Sequence, residues 1–587
     1  MLSCENSADS NGRGVPGQPV PGPARKIRMP ATNPSPVPPP VARAEAPSLL
    51  RAGPDARGVA TLPRALVRAC RQAGRRIKVS DSLGTRLSGR DLLLRVLCAK
   101  RVLERVLGPG ERRVGVMLPP CAGAVVVNAA LVLMGRVAVN LNYTTSQRIL
   151  DLSIERAGVS HVISSPAFLA RVKLDCGSRL LDAAALKSGL SVVDRAVAAF
   201  QTLCLPTGML ERALGLDSLR ADDELTVIFT SGSTGDPKGV VLSEENVASN
   251  VRAIDALLHV SAADVAVGVL PFFHSYGYTA TFWTPLVLDA GVVYHTNPLD
   301  AAAVGALARE YHATILMATP TFLRTYLRRT PAEDFSTLEA VFGSAEKLPR
   351  EVCDAFDKKF GVRPSEAYGA TEMSPLIAAN VPASRRVPGS PADAREGTVG
   401  RPIPGCRARI TGRDGAHDLP VGEEGMLWVS GPNVMQGYLD RPDLTAEVVH
   451  EGWYRTGDIA RLDADGFITI TGRQSRFSKI GGEMVPHLPV EEAVNAELGA
   501  EEGELRAVVT GVPDARKGER LVVLHLKTSR DPHDVCRGLA ARGLHNLWIP
   551  APDGFVEVEA LPVLGSGKLD LRRIAEMARG RHPAEDA

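Results

Sequence analysis

The densest cluster of chemistry-bearing residues runs from Leu225 to Gly239, LTVIFTSGSTGDPKG. An apolar stretch of strand character leads straight into small and hydroxyl residues and ends on a lysine. Gly232, Gly235 and Gly239 let a backbone turn tightly and bring its N–H groups close to an anion. Ser231, Ser233 and Thr234 offer hydroxyl donors, and Lys238 adds positive charge. By itself the segment reads as a phosphate-handling loop or as an ordinary flexible turn, because its spacing matches neither GxxxxGK[ST] nor GxGxxG. A second cluster, YGATEMSP, places Thr371 and Glu372 after Tyr368 and Gly369. A lone carboxylate there is usually solvated; beside a nucleotide it can hold magnesium while phosphate oxygens fill the other positions. In GWYRTGDIA, Asp458 follows a glycine turn, where a carboxylate can accept both hydroxyls of a ribose. Gly472-Arg473 come next, and LPVLGSGKLD carries Lys568 on a loop of small residues, which seen alone is an exposed turn residue.

These residues need a scaffold, and the pattern supplies one. A helical pattern starts near Leu62, a strand pair flanks SLGTRLSG, and a helix runs from Leu92 to Val106. Val114–Leu118 reads as a buried strand, followed by the apolar helix AGAVVVNAALVLM. Strand and helix signals then alternate to about residue 400, which predicts an α/β fold with mostly parallel strands. The stretch from about 170 to 222 is helical, with Pro206 in its middle, and the apolar face of SVVDRAVAAFQTLCLP is expected to pack into the core, membrane-surface contact being the alternative. After 400 the character changes to short strands with glycine turns, a small β-rich subdomain. The expected division is a Pro-rich disordered tail over 1–57, a large N-terminal domain over 58–473, a small mobile α+β domain over 474–578, and a polar tail over 579–587.

Composition narrows the classes further. With 68 Lys+Arg against 66 Asp+Glu among 587 residues, the net charge is +2, so nothing draws the whole chain to nucleic acid. Nine scattered cysteines form no CxxC pair and no zinc spacing, and read as buried thiols of a reducing compartment. The first residues lack the pattern of a secretory signal. The apolar run Ala122–Met134 is shorter than the roughly 20 residues needed to cross a bilayer. A cytoplasmic setting is expected, with peripheral contact at the inner face of the membrane as its variant.

Taken in order, TSGSTGxPKG, YGxTE, YRTGD, GR and GxGK resemble the motifs of the adenylate-forming superfamily: acyl-CoA synthetases, peptide-synthetase adenylation domains and luciferases. The resemblance covers roughly residues 60–578. RVGVMLPPCAGAVVVNAALVLMGRVAVNLNYT, LPFFHSYGYT, FGSAEKL and RFSKIGGEMVP resemble one subgroup, the acyl-[acyl-carrier-protein] synthetase portion of bacterial 2-acylglycerophosphoethanolamine acyltransferase/acyl-ACP synthetases. His259 and Asp264 match the HxxxxD spacing of that acyltransferase without its companion motif, and read as chance.

The resemblance implies an ATP- and Mg2+-dependent ligase that joins a carboxylate to AMP and passes the acyl group to a thiol. Thr230, Ser231, Gly232, Ser233, Thr234, Gly235 and Lys238 would embrace the β- and γ-phosphates. Gly343, Ser344, Ala345 and Glu346 would line the adenine pocket, with Tyr368 stacking nearby. Thr371 would touch the α-phosphate, Glu372 would bind the metal, Asp458 would hold the ribose and Arg473 would support it. Lys568 would bridge the carboxylate and the α-phosphate, and His274 would flank the acyl and pyrophosphate paths. The hinge position of the family falls on Ser475, and Lys479 belongs to the face that would meet the thiol. Arg473, Arg476, Lys479, Arg516, Lys517 and Arg520 could form a basic docking patch for an acidic acyl carrier protein, or only a scattered solvated surface. The implied acid is a fatty acid and the acceptor acyl carrier protein, with CoA the close variant. Two other readings stand beside it: a ligase for a specialised-metabolite acid, and a catalytically silent partner of a lipid acyltransferase.

Overall fold

A computed structural model describes residues 61–581, apart from 232–235, 387–393, 413–414, 416, 481–482, 501–503, 515–516 and 564–568. The tail expected over 1–57 lies outside the described residues. The first large sheet has nine strands in the order Arg401–Pro402, Leu376–Ala379, Ser365–Gly369, Ala340–Gly343, Ile315–Ala318, Val265–Gly268, Gly291–Tyr294, Ile77–Asp81 and Arg86–Ser88. Its centre is parallel and its two edges are antiparallel. Central strands such as Ile315–Ala318 and Ala340–Gly343 are buried at every position, the signature of a parallel sheet covered on both faces. A second sheet of seven strands contains the antiparallel hairpin Glu224–Ser231/Pro237–Ser243 and the short strand Gly437–Tyr438.

Local signals explain the elements. Ser88 caps the helix Gly89–Val106 and exchanges hydrogen bonds with Asp91, which moves its start three residues ahead of the expected Leu92. The apolar helix Ala122–Leu133 lies in the core shared by the two sheets. Lys78 is fully buried and donates from Nζ to the carbonyls of Pro285 (2.7 Å), Ala290 (2.9 Å) and Leu288. It thereby satisfies carbonyls at and just beyond the end of the helical segment Gly277–Val287. Burial lowers its ammonium to about 8. That segment leaves the loop carrying His274 through Gly277, where a Cβ would stand 2.1 Å from the carbonyl oxygen of Pro271.

A third sheet of five strands runs through Arg407–Thr411, Glu424–Ser430, Trp453–Leu462 and Ile468–Arg473, as the glycine-turn pattern predicts. From Phe477 onward another five-stranded sheet carries its own apolar clusters, built on Val490, Val509, Val523 and Leu539 on one face and Val508, Val522 and Ile574 on the other.

The stretch 170–222 departs from expectation. It is helical, but the helix Val192–Leu203 buries Asp194, Ala198 and Thr202, while Val192, Val193, Phe200 and Leu203 are exposed. Its apolar face points outward. The physical reason is Asp194, whose carboxylate is held by Arg101 (3.0 Å) and Arg105 (2.8 Å) of the helix Gly89–Val106. A charge pair and a Ser191 capping box hold the helix down where apolar packing was expected.

Candidate active site

The polar residues collect where parallel strands end, the usual ligand crevice of an open α/β sheet. His274 follows Val265–Gly268, Ser344–Glu346 follows Ala340–Gly343, and Thr371 and Glu372 follow Ser365–Gly369. At Gly369 a Cβ would come within 2.2 Å of the Pro375 carbonyl oxygen, so only glycine permits the tight return that presents Thr371 and Glu372. Ala345 sits at φ 78°, a left-handed conformation that an alanine adopts only when its surroundings hold it. The holding contacts follow it in the chain. Thr321 Oγ1 donates to Glu346 (3.0 Å), and the Leu348 N–H donates to Glu366 (3.2 Å). Burial pushes the Glu366 carboxyl up to about 7.

Asp458 and Arg473 are direct partners across the antiparallel strands Trp453–Leu462 and Ile468–Arg473. Arg473 Nε lies 3.1 Å from Asp458 Oδ1, and Tyr368 donates its hydroxyl to Oδ2. Burial, and then the adjacent Asp458 charge, hold the Tyr368 phenol well above its ordinary value, so it stays a donor. Three sequence-predicted residues from separate motifs therefore meet in one cluster.

A second cluster joins Lys238, Glu372 and a residue the sequence did not single out. Tyr438 donates to Glu372 Oε1 at 2.8 Å, and Lys238 Nζ stands 5.1 Å over the Tyr438 ring. The register explains the meeting. Tyr438 pairs with Val240 on the strand Pro237–Ser243, two residues beyond Lys238, which itself pairs with Thr230. Ser275, fully buried, was also missed; its hydroxyl lies 3.2 Å from Thr371 Oγ1. Tyr438 belongs to no quoted motif and Ser275 lies within LPFFHSYGYT beside His274, and tertiary contact is what gives each its place.

His274 and Thr371 line two spaces at once. One is a broad cleft that also takes in Thr230, Lys238, Glu372 and Asp458. The other is a cavity of about 80 Å³ walled mainly by apolar side chains, among them Ile254, Leu257, Met317, Phe342 and Leu376. Lys479 does not line the cleft; it is exposed on the strand Phe477–Ile480, with its N–H on Glu519. Lys568 and the loop residues Gly232–Gly235 lie outside the described residues, as does the Ser231 side chain. Three residues of the expected basic patch are ion-paired. Arg473 is paired with Asp458, Arg476 with the buried Glu491, and Arg520 with Asp553 (2.6 Å). Lys479 and Lys517 are exposed, and Arg516 is outside the described residues. The HxxxxD pair is structural: Asp264 is locked to Arg385, and His259 ends the helix Glu244–Leu258 in a left-handed turn.

The profile of the AMP-binding enzyme family matches residues 66–439. The chain belongs to the AMP-binding enzymes. Among curated relatives it is 31% identical over 360 residues to a sulfoacetate–CoA ligase of Cupriavidus necator, covering 61% of this chain and 68% of that protein. It is 27% identical over 531 residues to a long-chain-fatty-acid–CoA ligase of Bacillus subtilis, covering 85% and 91%. An ATP-bound chimera of the Rhodopseudomonas palustris MatB type has the same fold, with a TM-score of 0.73 at 24% identity, covering 88% of this chain and 99% of that one. ATP and Mg2+ are the co-substrate and metal of this family. Of the site residues expected from the motifs, Thr230, Lys238, His274, Ala345, Glu346, Tyr368, Thr371, Glu372, Asp458 and Arg473 line the cleft, Ser344 lines the apolar cavity, and Gly343 and Lys479 line neither.

Proposed function

We propose that the protein is an AMP-forming acid–thiol ligase that activates an apolar carboxylic acid, the favoured class being fatty acids. The observation that carries this reading is the junction at His274 and Thr371, where an apolar cavity opens beside a cleft of phosphate- and ribose-type ligands. A carboxylate is a poor electrophile, and exchange of one oxygen for AMP supplies a leaving group. The protein's task is then to align the acid with the α-phosphorus and neutralise charge. Glu372 fits a magnesium site: it is a hard oxygen donor in the cleft, with one oxygen engaged by Tyr438 and the Thr371 hydroxyl adjacent in sequence. The metal, when bound, withdraws charge from phosphate oxygens. Lys238 and Thr230 would meet the β- and γ-phosphates, Ser344–Glu346 and Tyr368 the adenine, and Asp458 with Arg473 the ribose. Lys568, on the carboxy-terminal domain 474–578, would reach the reacting carboxylate and leave when that domain turns about Ser475 for thiol transfer.

The names of the relatives support CoA as acceptor, and the subgroup resemblance supports acyl carrier protein. One observation favours a more compact acid. At about 80 Å³ the cavity is smaller than the roughly 150 Å³ space that takes benzene, so a long chain requires the side chains around Leu257 to yield. Incubation with ATP, Mg2+, acids from C2 to C18, aryl acids, CoA and holo-acyl carrier protein, read by intact mass, tests all of this. Acyl mass on a thiol is expected, its length reporting the cavity. Product with polar acids alone, or none, overturns the reading. Lys568→Ala is expected to abolish acyl-AMP formation while sparing thioester formation from supplied acyl-AMP. Equal loss of both steps contradicts its assigned role.

A further inference from the structure

We infer that the outward face of the helix Val192–Leu203 is a docking surface for an anionic lipid bilayer. Val192, Val193, Phe200 and Leu203 are 82%, 64%, 57% and 56% exposed, and Ala196 and Cys204 are exposed beside them. At about 100° per residue these six positions fall within an arc of roughly 120°. Met209, on the following helix Thr207–Ala213, is 50% exposed as well. No other helix of the described residues shows so many exposed large apolar side chains. The large apolar side chains are left outside because the inward face consists of Asp194, Ala198 and Thr202, with Ala198 in the core and Asp194 pinned by ion pairs.

Charge selects the occupant. Residues 183–213 contain two acids, Asp194 and Glu211, and both point inward. Asp194 is taken by Arg101 and Arg105, and Glu211 by Arg64 (3.0 Å) and Arg68 (2.7 Å). Lys187, Arg195 and Arg212 are the exposed charges of this stretch, and all are positive. An apolar arc flanked by cations, with the anions withdrawn, matches an interfacial helix at an anionic membrane. A bilayer satisfies both halves of that pattern: the acyl boundary takes the apolar arc and the headgroups take the cations. Among the described residues no helix is long and apolar enough to cross a membrane, so this contact is one of lying on the surface.

The full chain is to be sedimented with sucrose-loaded vesicles of phosphatidylcholine alone and of phosphatidylcholine with phosphatidylglycerol in equal parts. Binding to the anionic vesicles is expected, weakening at high salt. Phe200→Asp and Val193→Asp should each lower the partition coefficient at least tenfold, and Arg195→Glu should reduce the preference for anionic lipid. All three should keep ligase activity on a soluble short acid, because none touches the cleft. Phe200→Trp should bind and shift its emission to the blue when anionic vesicles are added. The inference is overturned if the wild type stays in the supernatant, or if Phe200→Asp sediments like the wild type. A dimer in solution that Phe200→Asp dissolves, without vesicle binding, would assign the face to a second copy. Binding that appears only after residues 1–57 are removed would assign it to that segment.

Discussion

Two arginine–carboxylate pairs in this molecule use the same chemistry for opposite ends. Asp264 and Arg385 are sealed, with neither side chain exposed. Arg385 lies 2.7 Å from Asp264 Oδ1, Thr314 donates to the same oxygen (2.8 Å), and the Ser261 N–H donates to Oδ2 (2.8 Å). Asp458 and Arg473 also touch, at 3.1 Å, but their side chains are 12% and 57% exposed at the cleft. The sealed pair turns both carboxylate oxygens and both guanidinium NH2 groups to protein partners. The open one leaves the guanidinium facing solvent and surrounds one carboxylate with donors that a ligand's hydroxyls can join or replace. Residue type does not separate the two pairs; access does.

Each pair can be broken in its own way. Arg385→Met leaves a buried carboxylate without its cation, and removal of one partner of such a pair costs about 3–5 kcal/mol. Thermal unfolding should show that loss directly, and an unchanged midpoint would mean that Asp264 had found another partner. Asp458→Asn should leave stability nearly untouched. In ATP–pyrophosphate exchange it should raise the KM for ATP by about 10- to 100-fold, consistent with loss of a charge-assisted hydrogen bond. A large fall in melting temperature instead would move Asp458 to the structural side.

A third acid sharpens the contrast. Among the described residues Glu244 is buried without a cation, accepts from the Leu62 N–H (3.1 Å), and is pushed up to about 8 by burial and by Asp223. Asp264, with its arginine, is instead held down at about 2, against the pull of burial. The signs differ. The Asp264 contribution is complete above its unfolded value and is lost as pH falls through the acid range. Glu244 weakens the fold as pH rises from its unfolded value of 4.5 towards 8. Glu244→Gln should therefore gain stability over the wild type between pH 5 and 8, on the order of 2 kcal/mol, in paired denaturant melts. An equal difference at both pH values would show that Glu244 does not titrate there.

The smallest expected effect concerns Tyr438. In the proposed metal site, Tyr438→Phe frees Glu372 Oε1 without removing the carboxylate itself. Outer-shell changes of this kind cost about 10-fold in metal affinity at their lower end. The half-saturating Mg2+ concentration should rise by that factor, and Mn2+ binding followed by electron paramagnetic resonance in the presence of ATP should weaken in parallel. A fall in kcat with unchanged metal binding would give the hydroxyl a different role.

Much of this molecule was legible before folding. The strand–helix alternation to about residue 400, the glycine-turn strands beyond it, and the motifs carrying Lys238, Thr371, Glu372 and Asp458 are local patterns. Local chemistry such as glycine turns, apolar runs and caps dictates them whatever lies elsewhere in the chain. What the helix Val192–Leu203 faces could not be read this way. Its periodicity is that of a core helix, and only Arg101 and Arg105, about ninety residues earlier in the chain, turn Asp194 inward and the apolar arc outward. Tyr438 and Ser275 are ordinary in sequence and acquire meaning through the strand register and buried contact that bring them to Glu372 and Thr371. The sequence by itself determined which elements form and which residues can do chemistry, since both follow from near neighbours and residue type. The tertiary structure alone decided which carboxylates are sealed, which are open, and which apolar face is left to solvent, because burial and pairing belong to residues distant in the chain.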